Sequence, residues 1–196
     1  MFMLEFIRVF VILLAILDPF MATPPFLAMT KKMKEEERNK IIIEAVSVAG
    51  GIMLIFLLFG INILQIFGIT LSSLKVAGGL IIFIVGLQLT LGYEIIKEKD
   101  KEKKKTAIVL LLGTPILAGP AAITTIIIVS QDYGFLVSLI GLFFALLATY
   151  CVMRMGSIIV KKLGGRGIEL VSRVMGLILA AFAIEFIKSG VLQIVS

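Results

Sequence analysis

Apolar residues do not alternate with polar ones along this chain; they run in near-continuous blocks, approximately 2–30, 41–61, 69–92, 107–130, 134–153 and 174–195. At 1.5 Å per residue each block is long enough to carry a helix across about 30 Å of hydrocarbon. Blocks of this kind predict helices that are apolar on every face, as membrane spans are, rather than amphipathic surface helices. The expected fold is therefore all-α, with six transmembrane helices in a single transmembrane domain over residues 1–196.

Composition narrows this further. Of 196 residues, 60 % are hydrophobic and 16 % charged, and the mean hydropathy of +1.13 excludes an ordinary water-soluble domain. The charges are unevenly placed. Lys31, Lys32, Lys34, Arg38 and Lys40 follow the first block, six lysines lie within 97–105, and Arg154, Lys161, Lys162, Arg166 and Arg173 follow the fifth. These segments hold 16 of the 19 basic residues, leaving only Arg8, Lys75 and Lys188 elsewhere, so the positive-inside bias predicts cytoplasmic basic linkers and both termini outside. The basic linkers suit lipid headgroups at the bilayer surface. No nucleic-acid partner is expected, because the run at 97–105 has no interleaved aromatics. A signal peptide over 1–17 is disfavoured, since Glu5 precedes Arg8 and the apolar run continues through Pro19 into Leu27.

The chain has no His and one Cys, Cys151, which removes the commonest metal ligand, the usual general base near neutral pH and any intrachain disulfide. No cofactor or metal is expected, and no enzyme activity. Cys151 reads as a packing residue. The segment 163–167, Leu-Gly-Gly-Arg-Gly, lacks the ending of a phosphate cradle and reads as a turn.

An internal echo organises the spans. Pro19-Phe20-Met21-Ala22-Thr23-Pro24 and Pro115-Ile116-Leu117-Ala118-Gly119-Pro120 both read P-x-x-A-x-P, 96 residues apart. Lys75-Val76-Ala77-Gly78 likewise matches Arg173-Val174-Met175-Gly176 at an offset of 98, with Gly92 and Gly190 in step. Two repeats, about 1–96 and 97–196, with three spans each must enter the membrane from opposite sides, which is the inverted-repeat plan of many secondary transporters. A proline inside a helix removes a hydrogen bond and costs about 3 kcal/mol. The first and fourth spans are therefore expected to be broken at their proline motifs, unwound between the paired prolines, with half-helices resuming after Pro25 and Pro120. Unwound backbone within a membrane survives only where it lines a cavity or is packed inside protein. The candidate substrate-binding residues are Asp18, Pro19, Ala22, Thr23, Pro24, Pro115, Ala118, Gly119, Pro120, Thr124 and Thr125, with Thr114 adding a further hydroxyl. N–H groups at the half-helix starts would face an anionic ligand group.

Asp18 stands immediately before the first motif, where an unpaired carboxylate costs at least ~2.5 kcal/mol in hydrocarbon. It is a candidate for ammonium binding, for ion coupling with H+ or Na+, or for capping backbone N–H groups released by the prolines. Glu185 is the second candidate for ion coupling, with Lys188 positioned to pair with it at i,i+3. Glu44, Asn62, Gln65 and Gln88 read as interfacial. Gly50, Gly51, Gly78, Gly79 and Gly86 read as close helix contacts.

Four blocks, Asp18 to Leu27, Val76 to Leu87, Pro115 to Thr125 and Leu163 to Ala181, resemble the MarC family of integral membrane proteins, and the resemblance spans nearly the whole chain. It implies six spans in a bacterial or archaeal cytoplasmic membrane. Family members called SnatA transport small neutral amino acids such as glycine and alanine, which makes secondary transport of that class, through a midplane site between two broken helices, the leading expectation. The family usually has Asn where this chain has Asp18. Export of drugs or other metabolites is the alternative within transport, and a non-transporting membrane scaffold the alternative outside it. Association into a homo-oligomer is left open.

Overall fold

The computed structural model describes residues 2–30, 33–92 and 119–195, and all regular structure in them is helical. Among the described residues seven helices follow in chain order: α1 (Phe2–Leu17), α2 (Pro19–Met29), α3 (Glu35–Ile66), α4 (Leu71–Leu91), α5 (Pro120–Tyr133), α6 (Phe135–Arg154) and α7 (Gly156–Val195). Four stretches among the described residues are long and apolar enough to cross a bilayer: α3, α4, α6 and the Glu169–Val195 part of α7. They coincide with four of the expected spans. The first expected span is divided into α1 and α2, and only the later part of the fourth, from Gly119 onward, is described.

Between 28 and 33 % of the most apolar window of each of those four stretches is buried inside the protein. The remaining apolar faces, carrying Ile55, Leu58 and Phe59 on α3, Ile81 and Ile84 on α4, and Phe143 and Leu147 on α6, are exposed. Water would not stabilise such a surface, whereas hydrocarbon does. The buried core gathers Ile12, Leu13 and Ile16 of α1, Met53 of α3, Ile82 of α4, Ile126 and Ile128 of α5, and Leu179 of α7.

Glycines set the closest helix contacts. A Cβ on Gly86 of α4 would stand 2.8 Å from the Gly176 carbonyl and the Ala180 amide of α7, and one on Gly190 would stand 2.8 Å from the Ser72 carbonyl. Residues late in α4 thus meet residues earlier in α7, and the two helices run antiparallel. Gly50 of α3 meets Leu146 of α6, while Tyr150 donates to Asn39 at 3.1 Å, so this pair is antiparallel too. α1 packs on α5 and α6, α2 on α6 and α7, and α5 on α3 and α4.

Three expectations differ in detail. The segment at 163–167 lies within α7 and departs from helical geometry only at Gly164 (φ 67°, ψ 174°), so the glycines kink a helix instead of closing a loop. Cys151 is exposed and not a packing residue. The first proline motif does not unwind: α2 begins at Pro19 and continues as helix through Pro24 and Pro25 to Met29. Pro19 occupies the first helical position, where its missing N–H is one of the unsatisfied donors anyway. The chain turns at the single residue before it.

Candidate functional site at the Asp18 helix break

That residue is Asp18, whose φ of 31° makes it the one non-glycine at positive φ among the described residues. A residue preceding proline is disfavoured in the right-handed helical region, and aspartate tolerates left-handed geometry better than most. Asp18 ends α1, its N–H donating to the Leu14 carbonyl at 3.1 Å, and starts α2, its carbonyl accepting from the Ala22 N–H at 3.2 Å. It thereby holds the N-cap position of α2, with its carboxylate at the positive end of that helix dipole. The residue is only 7 % exposed. Ser172 of α7 donates to its Oδ1 at 3.3 Å.

Around this break the motif residues are well buried: Ala22 at 2 % and Thr23 at 1 % exposure. The Thr23 hydroxyl donates to the Pro19 carbonyl at 2.6 Å. Its methyl lies where a Cβ on Gly156, the first residue of α7, would meet it at 2.5 Å. Of the second motif, Pro115 and Ala118, with Thr114, lie outside the described residues. Gly119 is the N-cap of α5 (φ −68°, ψ 176°) and Pro120 its first residue, an arrangement parallel to Asp18 and Pro19. Thr125 is fully buried and its hydroxyl donates to the Ala121 carbonyl at 2.7 Å. Thr124 packs on α4, its Cγ2 filling the space a Cβ on Gly78 would take. The described residues of the two motifs thus sit in different helix contacts, Thr23 at the start of α7 and Thr124 against α4. Both Thr23 and Thr125 direct their hydroxyl protons back into their own helices.

Glu185 belongs elsewhere. It accepts from Lys188 at 3.1 and 3.2 Å, and both side chains are more than half exposed. Glu185 and Ser172, the partner of Asp18, are about 20 Å apart along α7 at 1.5 Å per residue. The two candidate ion-coupling carboxylates therefore occupy separate regions.

A sequence profile described as "MarC family integral membrane protein" matches residues 3–195. The chain belongs to the MarC family. Curated relatives agree: a UPF0056 membrane protein of Buchnera aphidicola subsp. Acyrthosiphon pisum is 36 % identical over 95 % of this chain and 91 % of its own length. One from Methanocaldococcus jannaschii is 35 % identical over 95 % of both chains, and the Escherichia coli protein YhcE is 34 % identical over 95 % of this chain and 91 % of its own. No solved structure matches the chain significantly.

Among the described residues of this MarC-family protein, two open cavities stand out, and Asp18 lines neither. One, of about 610 Å³, lies where Phe26 and Leu27 of α2 meet Lys34, just before α3, Arg38 and Asn39 of α3 and Arg154 of α6. Phe26 is two turns beyond Asp18 along α2, so this cavity approaches the break. Its wall is tied by Arg154 Nη1 donating to the Tyr150 hydroxyl at 2.7 Å. The other, of about 640 Å³, is lined by Arg8, Lys75, Asp132, Tyr133, Glu185 and Ser189 together with three further residues. Lys75 is its most buried member at 2 % exposure; Nζ lies 2.5 Å from Asp132 Oδ1 and 3.3 Å from Ser189 Oγ. Sequence reasoning passed over Lys75, Asp132, Tyr133 and Ser172. A lone lysine in an apolar span, expensive unless it faces the protein interior, was the available signal; nothing local marked the other three.

Proposed function

We propose that this MarC-family protein is a secondary transporter of small neutral amino acids of the glycine and alanine class. In this reading the Asp18 carboxylate holds the substrate ammonium, and the first-turn N–H groups of the interrupted helices receive its carboxylate. The observation that carries it is a buried carboxylate at a one-residue helix break, at positive φ, facing Ser172 of another helix. Strain and a buried charge at one residue both cost free energy, and such costs concentrate where a protein binds or switches.

The reading includes a six-span, three-plus-three inverted repeat in the cell membrane. Its support is the pairing of equivalent helices: α4 with α7, and α3 with α6, each antiparallel. Exchanging the two halves also turns the packing of α5 on α4 and α3 into the packing of α2 on α7 and α6, both of which occur. A two-fold axis in the membrane plane produces this exchange. Because the hydroxyls of Thr23 and Thr125 are engaged within their helices, backbone groups carry recognition, which favours a small substrate lying close to the main chain.

The test is uptake of labelled glycine and L-alanine into vesicles containing the purified protein, with proton and sodium gradients imposed separately. Gradient-dependent accumulation, lost when the gradient is collapsed, is expected. Vesicles that accumulate neither amino acid under either gradient, while the protein is folded and inserted, would refute transport of this class and leave export of other metabolites or a scaffold role.

A further inference from the structure

The cavity between the N-terminal half of α1, the start of α4, the end of α5 and the last turns of α7 has a composition that the Asp18 break does not explain. Its wall carries two cations, Arg8 and Lys75, and two carboxylates, Asp132 and Glu185, with the Tyr133 phenol and the Ser189 hydroxyl. The formal charge of this lining is zero, yet each sign is present twice. Four helices contribute, so the arrangement arises only in the folded bundle.

The central group is Lys75. Its ammonium has three N–H donors, of which Asp132 and Ser189 take two. A buried lysine tied to a partly exposed aspartate adds little that apolar packing would not supply, because desolvation offsets most of the attraction. A charge facing the interior of a membrane bundle more often serves a polar ligand or an ion path. Arg8 is within hydrogen-bonding reach of the Tyr133 hydroxyl, and the charges of Asp132 and Glu185 also act on that phenol. Burial raises the Tyr133 pKa, with Arg8 opposing and the two carboxylates reinforcing the shift. The phenol therefore stays protonated and can donate as well as accept. Positive and negative groups converge around one hydroxyl within about 640 Å³ of open space.

We infer that this cavity is a second binding site, distinct from the Asp18 break, for a compact zwitterion: its carboxylate seated between Lys75 and Arg8, and its ammonium toward Glu185 and Asp132. Asp132 already holds Lys75 and Glu185 holds Lys188, so a simple anion would draw cations away from these carboxylates without replacing them, and a simple amine would do the same to the cations. A free α-amino acid satisfies both. The ligand class equals that proposed for the Asp18 break but follows here from this cavity's own charges.

The chain has three tyrosines and no tryptophan, which provides a local reporter. With Tyr93→Phe and Tyr150→Phe, Tyr133 is the sole fluorophore beyond phenylalanine in the full-length protein. Titration with glycine and with L-alanine in lipid nanodiscs is expected to change Tyr133 emission saturably, whereas acetate and ethylamine require at least tenfold higher concentrations. Glu185→Gln, at an exposed position that does not threaten folding, is expected to weaken the amino-acid response at least tenfold, as is Lys75→Met if that protein folds. Asp18→Asn leaves the response in place. A flat titration with both amino acids, acetate acting as well as alanine, or full affinity in Glu185→Gln each overturns the inference. A saturable Tyr133 response in a protein that fails to transport sinks the transport reading alone; transport with a silent Tyr133 sinks this one alone.

Discussion

An aspartate one residue ahead of Pro19 has two physical roles that a single oxygen-for-nitrogen exchange separates. Asn caps a helix as well as Asp does, so Asp18→Asn is expected to fold and insert, whereas Asp18→Ala, losing the cap, is expected to be less stable by about 1 kcal/mol in thermal unfolding. If backbone N–H groups carry much of the recognition, Asp18→Asn binds alanine with a loss of no more than tenfold, about 1.4 kcal/mol. Proton dependence of transport is the more sensitive readout: a coupling carboxylate cannot be replaced by an amide. Uptake in Asp18→Asn with unaltered proton dependence would move coupling away from this residue. Lys75 obeys a different logic. Removing its partner strands a buried ammonium at 2 % exposure, so Asp132→Ala is expected to lower the melting temperature more than the double variant Lys75→Met, Asp132→Ala. Equal or greater loss in the double variant would mean that Lys75 contributes mainly through its aliphatic packing.

At the scale of elements, continuous apolar blocks reveal helices whatever faces they bury, which is why α3, α4, α6 and the last part of α7 were legible without any structure. The same signal carries no information about which face is inside. Proline chemistry was legible only in part. Prolines at 19 and 24 suggest an unwound stretch, but Pro19 fits the first position of a helix, and the strain collects at Asp18 while α2 continues through the second proline. Glycine is more readable, because a missing side chain matters only where something stands close. A Cβ on Gly86 would meet α7 backbone at 2.8 Å, while one on Gly51 meets nothing within 4 Å. Gly86→Leu is therefore expected to push α4 and α7 apart and abolish the monodisperse folded peak in size-exclusion chromatography. Gly51→Ala, in the interior of α3, is expected to raise stability by up to about 1 kcal/mol. A folded Gly86→Leu protein with unchanged melting would show that the α4–α7 crossing tolerates separation.

For the whole molecule, orientation and symmetry are one question. Residues that define the Lys75 cavity, Arg8, Lys75, Asp132 and Glu185, come from four helices, and no sequence pattern links them, because their proximity is created by helices that cross from different halves of the chain. The basic clusters, by contrast, are local and read directly. With helices of the two halves running antiparallel, one orientation in the bilayer fixes all the rest: if Lys34 is cytoplasmic, then α3 must carry Ile66 outward, α4 must return, and α6 must bring Arg154 back to the side of Lys34. The contact of Tyr150 with Asn39 and the cavity shared by Lys34 and Arg154 put those ends together. Single cysteines at positions 34 and 162, in a Cys151→Ser background because Cys151 is itself exposed, are expected to react with impermeant maleimide only after the cytoplasmic face is opened. Cysteines at 2 and 131 are expected to react from outside in intact cells. Should position 2 label from the side of position 34, α1 and α2 would return to their own side as a re-entrant hairpin. The first half would then cross the membrane an even number of times, and the inverted relation between the halves would be lost even though each pair of equivalent helices remained antiparallel.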